Sequence, residues 1–317
     1  MARTISPGAA PVAPLRPPPA PPQPFVGRDT ERAALERRLE ERGVVALTGL
    51  AGSGKTALLA DHASRSRRKV EWVEIYHGLS DSGEALFWQI ARPLADVAPQ
   101  TWQALHRMAQ GAPPYPLTAR LQVALAAYAR LDAAPLLVID AMDHLGQPEP
   151  IALVSALCDH VASGRAGDLQ VAVAGRALPY RMLSYMLPAL GGIDLVATQA
   201  WAQALGLSLS DEAAAQLVAF TGGVPLALAD ALASRLSDTT LPLEAERRLW
   251  ALVAGLSPTE LDLLKILTRD AQPALPLERR ADLAHLEDMH LVRRSSAEGA
   301  QIHPMIRNFL SAQMSRS

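Results

Sequence analysis

Gly49-Leu50-Ala51-Gly52-Ser53-Gly54-Lys55-Thr56 lies between an apolar, β-prone run, Val44 to Thr48, and a helical pattern running from Thr56 to about Arg65. The spacing is G-x-x-x-x-G-K-[ST] in the strand–loop–helix context that gives it physical meaning. Glycines let the backbone curl so that successive N–H groups face one point, and the helix N-terminus adds partial positive charge there. The group that fits is a nucleotide polyphosphate. Lys55 is placed to reach the β- and γ-phosphates and the Thr56 hydroxyl to ligate Mg²⁺, with Gly49, Ala51, Gly52, Ser53, Gly54 and Ala57 completing the contact set. The lysine also stands out against its background, because Lys55, Lys69 and Lys265 are the only three in 317 residues.

Working outward, the sequence predicts a helix from Asp29 to about Arg42, a strand at Val70–Tyr76, and helices at Leu86–Val97 and Leu117–Leu131. A buried strand at 135–140, a helix at 150–163 and strands at Gln170–Ala174 and Ile193–Ala197 follow. Apolar strands alternating with helices predict a parallel sheet of about five strands covered on both faces. After about residue 198 the strands stop. Trp201–Arg235 reads as helical, with a break at Thr221-Gly222-Gly223-Val224-Pro225. Ser257-Pro258-Thr259-Glu260 combines a capping box with proline at the first helical position. Helices near 258–269 and 278–290, two extended pieces (Leu291–Arg294 and Ala300–His303) and a last helix from Pro304 suggest a winged-helix module.

Nine prolines fall within residues 1–24, which predicts a disordered or polyproline-like tail. A net charge of −2 and a pI near 6.5 give no general polyanion-binding field. The single cysteine, Cys158, excludes an internal disulfide and sits in an apolar helical pattern, as a small core residue does. No apolar run reaches the ~18 residues needed to span a bilayer, and the N-terminus lacks a signal-peptide centre, so a cytoplasmic protein without a membrane partner is expected.

Three further residues are chemical candidates. Asp140 ends a buried strand, where a carboxylate is costly without a metal, water or polar partner, so it is the expected holder of Mg²⁺ beside Thr56. Asp143, three residues on, is a candidate general base or orienter of the attacking water. Arg176 follows a strand end and is a candidate sensor of the nucleotide state.

The order Phe25-Val26-Gly27-Arg28, glycine loop, Asp140, Arg176, Gly223-Val224-Pro225, His303 resembles the STAND class of signal-transduction ATPases, which includes the NB-ARC and NACHT proteins, over roughly residues 25–317. The resemblance implies an ASCE/AAA+-like P-loop domain (25–198), a helical domain (199–248) and a winged-helix domain (249–317) behind the tail (1–24). It places Phe25, Val26, Gly27 and Arg28 against adenine, Pro225 on the base, and His303 at the β-phosphate of ADP. Ala141, where many NB-ARC proteins carry a second acid, makes Asp140-Ala141-Met142-Asp143 similar to the NACHT version and implies slow hydrolysis.

The implied function is an ATP/ADP-dependent switch in bacterial signalling, regulation or defence, with a nucleotide-dependent homo-oligomer. Family members add an effector domain in front and a repeat array behind. Here partners are expected to supply sensing and output in trans, unless the chain is a minimal or truncated member. Two alternatives stay open: a DNA-binding, origin-recognition-like AAA+ ATPase, and a nucleotide-binding scaffold without turnover. Residues 257–317 carry eight Lys+Arg and eight Asp+Glu, with Arg293 and Arg294 as a local basic patch, a balance that disfavours nucleic acid.

Overall fold

The computed structural model of the chain describes residues 17–75, 80–233, 250, 253–269, 279–289, 291–295 and 299–316. Most of the predicted proline-rich tail, Tyr76, the end of the Trp201–Arg235 stretch, the boundary near 248 and the turn between the two extended pieces lie outside the described residues, as do the side chains of Arg293 and Arg294. Two compact units form. One comprises Thr30–Thr48 and Thr56–Pro188 with the stretch up to Pro21; the other comprises Pro22–Asp29, Gly49–Lys55 and Ala189–Ser317. The division is discontinuous in sequence, unlike the linear boundaries the sequence suggests.

The first unit is built on four parallel strands, β1 (Val44–Leu47), β2 (Val70–Glu74), β3 (Leu136–Asp140) and β4 (Gln170–Ala174), in the order β1-β4-β3-β2. Register is set by Val44 opposite Val171, Leu136 opposite Gln170 and Val70 opposite Leu136. β1 and β3 are buried at every position, as expected where helices cover both faces of a sheet. One strand, β4, separates the strand leading to the glycine loop from the strand ending in Asp140. Helices α1 (Asp29–Arg42), α2 (Lys55–Arg65), α3 (Gly83–Ala91), α4 (Leu94–Val97), α5 (Pro99–Gln110), α6 (Leu117–Tyr128) and α7 (Pro148–Ala162) accompany the sheet in chain order. The core joins Val73, Ile139 and Val173 to Leu86, Phe87, Ile90, Leu105, Leu125 and Leu157. Cys158 is buried in it, and burial pushes its thiol up to about 12, so it is inert packing.

Three elements differ from the sequence reading. The helix expected over 86–97 is two, because Arg92-Pro93 interrupts it and Pro93 caps α4. α5 occupies a stretch where no element was expected, with proline at its start. The fifth strand at Ile193–Ala197 does not form. Asp194 accepts a hydrogen bond from the Ala197 amide at 2.8 Å, which caps a helix, α8 (Leu195–Ala204). Among the described residues, the sheet edge beside β1 carries a parallel bridge between Ala46 and Met186 in place of a fifth strand.

The second unit follows α8 with α9 (Asp211–Thr221), α10 (Pro225–Ala233), α11 (Pro258–Arg269), α12 (Arg280–Asp288), an antiparallel pair β5 (Val292–Ser295) and β6 (Gly299–Ile302), and α13 (Pro304–Arg316). The capping box is made: Ser257 Oγ accepts from the Glu260 amide at 3.2 Å, and Glu260 Oε2 accepts from the Ser257 amide at 2.7 Å. The core of this unit joins Leu263, Leu264, Leu286, Leu291, Ile306 and Phe309, and it takes in Val224, Ala227 and Leu50 of the glycine loop. Among the described residues no helix is long and apolar enough to cross a membrane.

Candidate functional site

The glycine loop, Gly49–Lys55, belongs to the second unit and is held there by backbone contacts. Gly52 has φ +81°, a conformation costly for any residue with a Cβ, and its carbonyl accepts from the Leu226 amide at 3.3 Å. A Cβ on Gly52 would stand 2.7 Å from that of Leu226. Pro225 Cγ lies 3.8 Å from where a Gly54 Cβ would be, an ordinary packing distance. The break Thr221–Pro225 thus brings the start of α10 onto the loop.

Lys55 Nζ donates to the carbonyls of Gly49 (2.8 Å) and Leu50 (3.1 Å). Ser53 Oγ is buried without a hydrogen-bond partner. A curled backbone, an ammonium carried by neutral carbonyls and an orphaned buried hydroxyl fit a polyphosphate, whose oxygens are the stronger, charged acceptors.

Ahead of the loop, Val26 packs with Ile193, Ala197 and Leu228, and Phe25 is half-buried. Gly27 has φ +68°, and Arg28 is 4% exposed with its guanidinium on loop and chain carbonyls. Neither the burial of Arg28 nor its partners could be read from sequence.

His303 sits between β6 and α13. Its amide donates to the Leu291 carbonyl (2.9 Å) and its carbonyl accepts from the Arg307 amide (3.0 Å). The imidazole lies on Gly222, where a Cβ would stand 2.6 Å from Cε1. His303 therefore packs on the turn that leads to Pro225. Burial lowers its pKa from 6.5 to about 4, so the ring is neutral at neutral pH.

The sign of the pH effect follows. The folded state resists a proton that the unfolded chain accepts, so this contribution to stability is complete above 6.5 and is lost as pH falls toward 4. Urea stability should fall by about 1–2 kcal/mol from this group between pH 7 and pH 5, with partial exposure discounted. His303→Leu should flatten that part of the slope, and equal slopes in the two proteins would remove His303 as its source.

The first unit holds the acids. Thr56, the second residue of α2 and the covalent neighbour of Lys55, donates from Oγ1 to Asp140 Oδ2 at 2.7 Å. Asp140 is 7% exposed, and its Oδ1 accepts from the Ala141 amide at 2.8 Å. Ala141 has φ +61°, which turns the chain sharply behind the strand. Among the described residues no cluster of three or more His, Cys, Asp or Glu could hold a metal ion. The Thr56–Asp140 oxygens fit Mg²⁺, a hard cation usually held by one or two carboxylates together with substrate phosphates.

Asp143 and Arg176, 33 residues apart, are brought together. The Arg176 amide donates to Asp143 Oδ1 (2.9 Å) and its Nε to Oδ2 (2.8 Å). Burial pushes the Asp143 carboxyl up, but the amide, charge and guanidinium of Arg176 outweigh it, and the net pKa is below the usual carboxylate value. An acid this committed is a weak base, and it ties the β4 end to the turn after β3.

Residues 24–173 match the family model described as AAA ATPase domain. No curated protein matches the sequence. Among solved structures, a Signal Transduction ATPase with Numerous Domains (STAND) protein with a tetratricopeptide repeat sensor, from Pyrococcus horikoshii, aligns at 21% identity and TM-score 0.54 over 92% of this chain. The chain spans 43% of that protein's length. A Walker-type ATPase of Pyrococcus abyssi aligns at 15% identity and TM-score 0.65, covering 93% of this chain and 98% of the other. The Aeropyrum pernix ORC2 protein aligns at 15% identity and TM-score 0.49 over 93% of this chain and 98% of its own. Residues 24–173 thus resemble an AAA ATPase domain, and the chain shares its fold with the STAND protein and the Walker-type ATPase.

Proposed function

We propose that the chain is a nucleotide-controlled switch of the STAND type, which binds ADP or ATP with Mg²⁺, hydrolyses ATP slowly and acts through partner proteins and nucleotide-dependent self-association. The observation that carries this reading is the apolar cluster of the second unit. Leu50 of the loop shares it with Val224 and Ala227 at the start of α10 and with the helices that follow. A nucleotide that changes the loop therefore changes a contact of the C-terminal helices, which is the differential interaction a switch requires.

In this reading Lys55 and the loop amides bind the phosphates and Thr56 and Asp140 hold Mg²⁺, which neutralises phosphate charge. Pro225 and residues 25–27 flank the base, and α11, α12, β5–β6 and α13 form a winged helix whose His303 braces the turn before Pro225. Asp143, held by Arg176, supports slow turnover, with Arg176 reporting on the end of β4. Balanced charge over 257–317 speaks against a duplex-binding role for that module.

The test is ADP retention and mass in the wild type and His303→Ala. Loss of the brace on Gly222 should speed ADP release about tenfold, which corresponds to about 1.4 kcal/mol, and shift the ATP-bound protein toward oligomers. Unchanged ADP off-rate and unchanged size-exclusion behaviour would sink the switch assignment for His303.

A further inference from the structure

Arg28 closes the Phe25–Arg28 stretch, yet its side chain does not lie open. It is 4% exposed, and Nη2 donates both to the Ser53 carbonyl in the glycine loop (2.8 Å) and to the Gly191 carbonyl (2.6 Å). Its own backbone is anchored on one side, since Val26 packs with Ile193, Ala197 and Leu228.

Two consequences follow. A peptide unit is rigid and trans, so its C=O and the next N–H point in opposite directions. Fixing the Ser53 carbonyl toward Arg28 therefore turns the Gly54 amide away from Arg28. The second carbonyl belongs to a tight crossing of the chain. The Ile193 amide donates to Gly223 at 2.8 Å, and a Cβ on Gly192 would stand 2.0 Å from the Gly222 oxygen. Gly222 is the residue on which His303 lies. One guanidinium thus joins the loop to the segment that packs on the turn under His303.

We propose that Arg28 is the positioning residue of the phosphate loop: it sets the direction of the Ser53–Gly54 peptide and fastens the loop to the glycine crossing at 191–192 and 222–223. The proposal rests on the nucleotide-binding reading above and assigns Arg28 to phosphate recognition through the loop, with no part in selecting the base. Lysine could satisfy one or both carbonyls from a shorter reach, and glutamine loses the charge that makes these hydrogen bonds strong.

The experiment compares ADP, GDP and inorganic pyrophosphate binding to the wild type, Arg28→Gln and Arg28→Lys by calorimetry. In Arg28→Gln, ADP and pyrophosphate should weaken in parallel by about tenfold or more, with partial recovery in Arg28→Lys and an unchanged ADP-to-GDP ratio. A general loss of folding would not keep that ratio while Arg28→Lys recovers. Unchanged ADP affinity overturns the proposal. So does weaker ADP binding with unchanged pyrophosphate binding and a collapsed ADP-to-GDP ratio, which would make Arg28 a base contact. Should the glutamine variant not fold, Arg28→Lys carries the same comparison with a smaller parallel loss.

If the wild type binds none of the three ligands, the nucleotide reading fails by itself. Hydrogen exchange in the ligand-free proteins then decides the clamp. Amides of residues 50–56 should exchange about tenfold faster in the variant, and equal rates overturn it.

Discussion

Lys55→Ala is expected to abolish useful nucleotide binding, weakening ADP by at least about 100-fold, or roughly 2.7 kcal/mol, in a titration by calorimetry or with a fluorescent ADP analogue. The lysine supplies the ammonium of a loop that otherwise offers backbone amides, and hydrogen bonds between an ammonium and phosphate oxygens are about twice as strong as neutral ones. In the structure that ammonium is carried by the Gly49 and Leu50 carbonyls at 2.8 and 3.1 Å, neutral acceptors from which charged phosphate oxygens can draw it. Some stability should be lost as well, about 1 kcal/mol or more, because Gly49 and Leu50 are buried and their carbonyls lose this donor. Affinity within about threefold of the wild type would overturn the assignment of Gly49–Thr56 as the phosphate grip, since no other lysine lies near it in sequence.

Local chemistry made the loop legible. Strand, glycine spacing, lysine and helix are consecutive in the chain, and each has its own local signal. The same holds for Asp140 at the end of an apolar strand and for the Ser257–Glu260 capping box, which the structure forms as written. What failed depends on a competing local signal or on contacts distant in sequence. Ile193–Ala197 is apolar enough for a strand, but Asp194 inside it caps a helix, and a short apolar run does not decide between the two. α5 was missed, although Pro99 stands at its first turn, a position that proline favours.

The fuller gains come from long-range partners. Asp143 looked like a base from its place after Asp140, but Arg176 occupies both its oxygens from 33 residues away. Arg28 reads as one residue of a motif until its partners at 53 and 191 are seen. Gly191 and Gly192 look like an ordinary turn in sequence, and nothing local separates one from the other.

The structure separates them sharply, and Gly192→Ala is the second large effect. Its backbone needs no left-handed φ, so the argument is steric. A Cβ would stand 2.0 Å from the Gly222 oxygen and 2.8 Å from Gly223 backbone atoms, distances that backbone cannot yield as a flexible side chain would. Relief requires breaking the Ile193–Gly223 hydrogen bond and prising the turn from the 189–193 segment. The expected loss is about 3 kcal/mol or more, at the upper end of overpacking penalties because the obstacle is main chain.

Gly191→Ala is the built-in comparison. No atom lies within 4 Å of its Cβ position, and the carbonyl that accepts from Arg28 is retained, so its stability should stay within about 1 kcal/mol of the wild type. The readout is a urea midpoint together with hydrogen exchange over 189–193 and 222–224, where Gly192→Ala should open first. Because His303 packs on Gly222, the same variant should also release ADP faster while leaving the Thr56–Asp140 pair in the other unit intact. Equal stability of the two alanine variants would mean that the chain crossing has room the structure does not show, and the link from His303 to Arg28 would lose its footing.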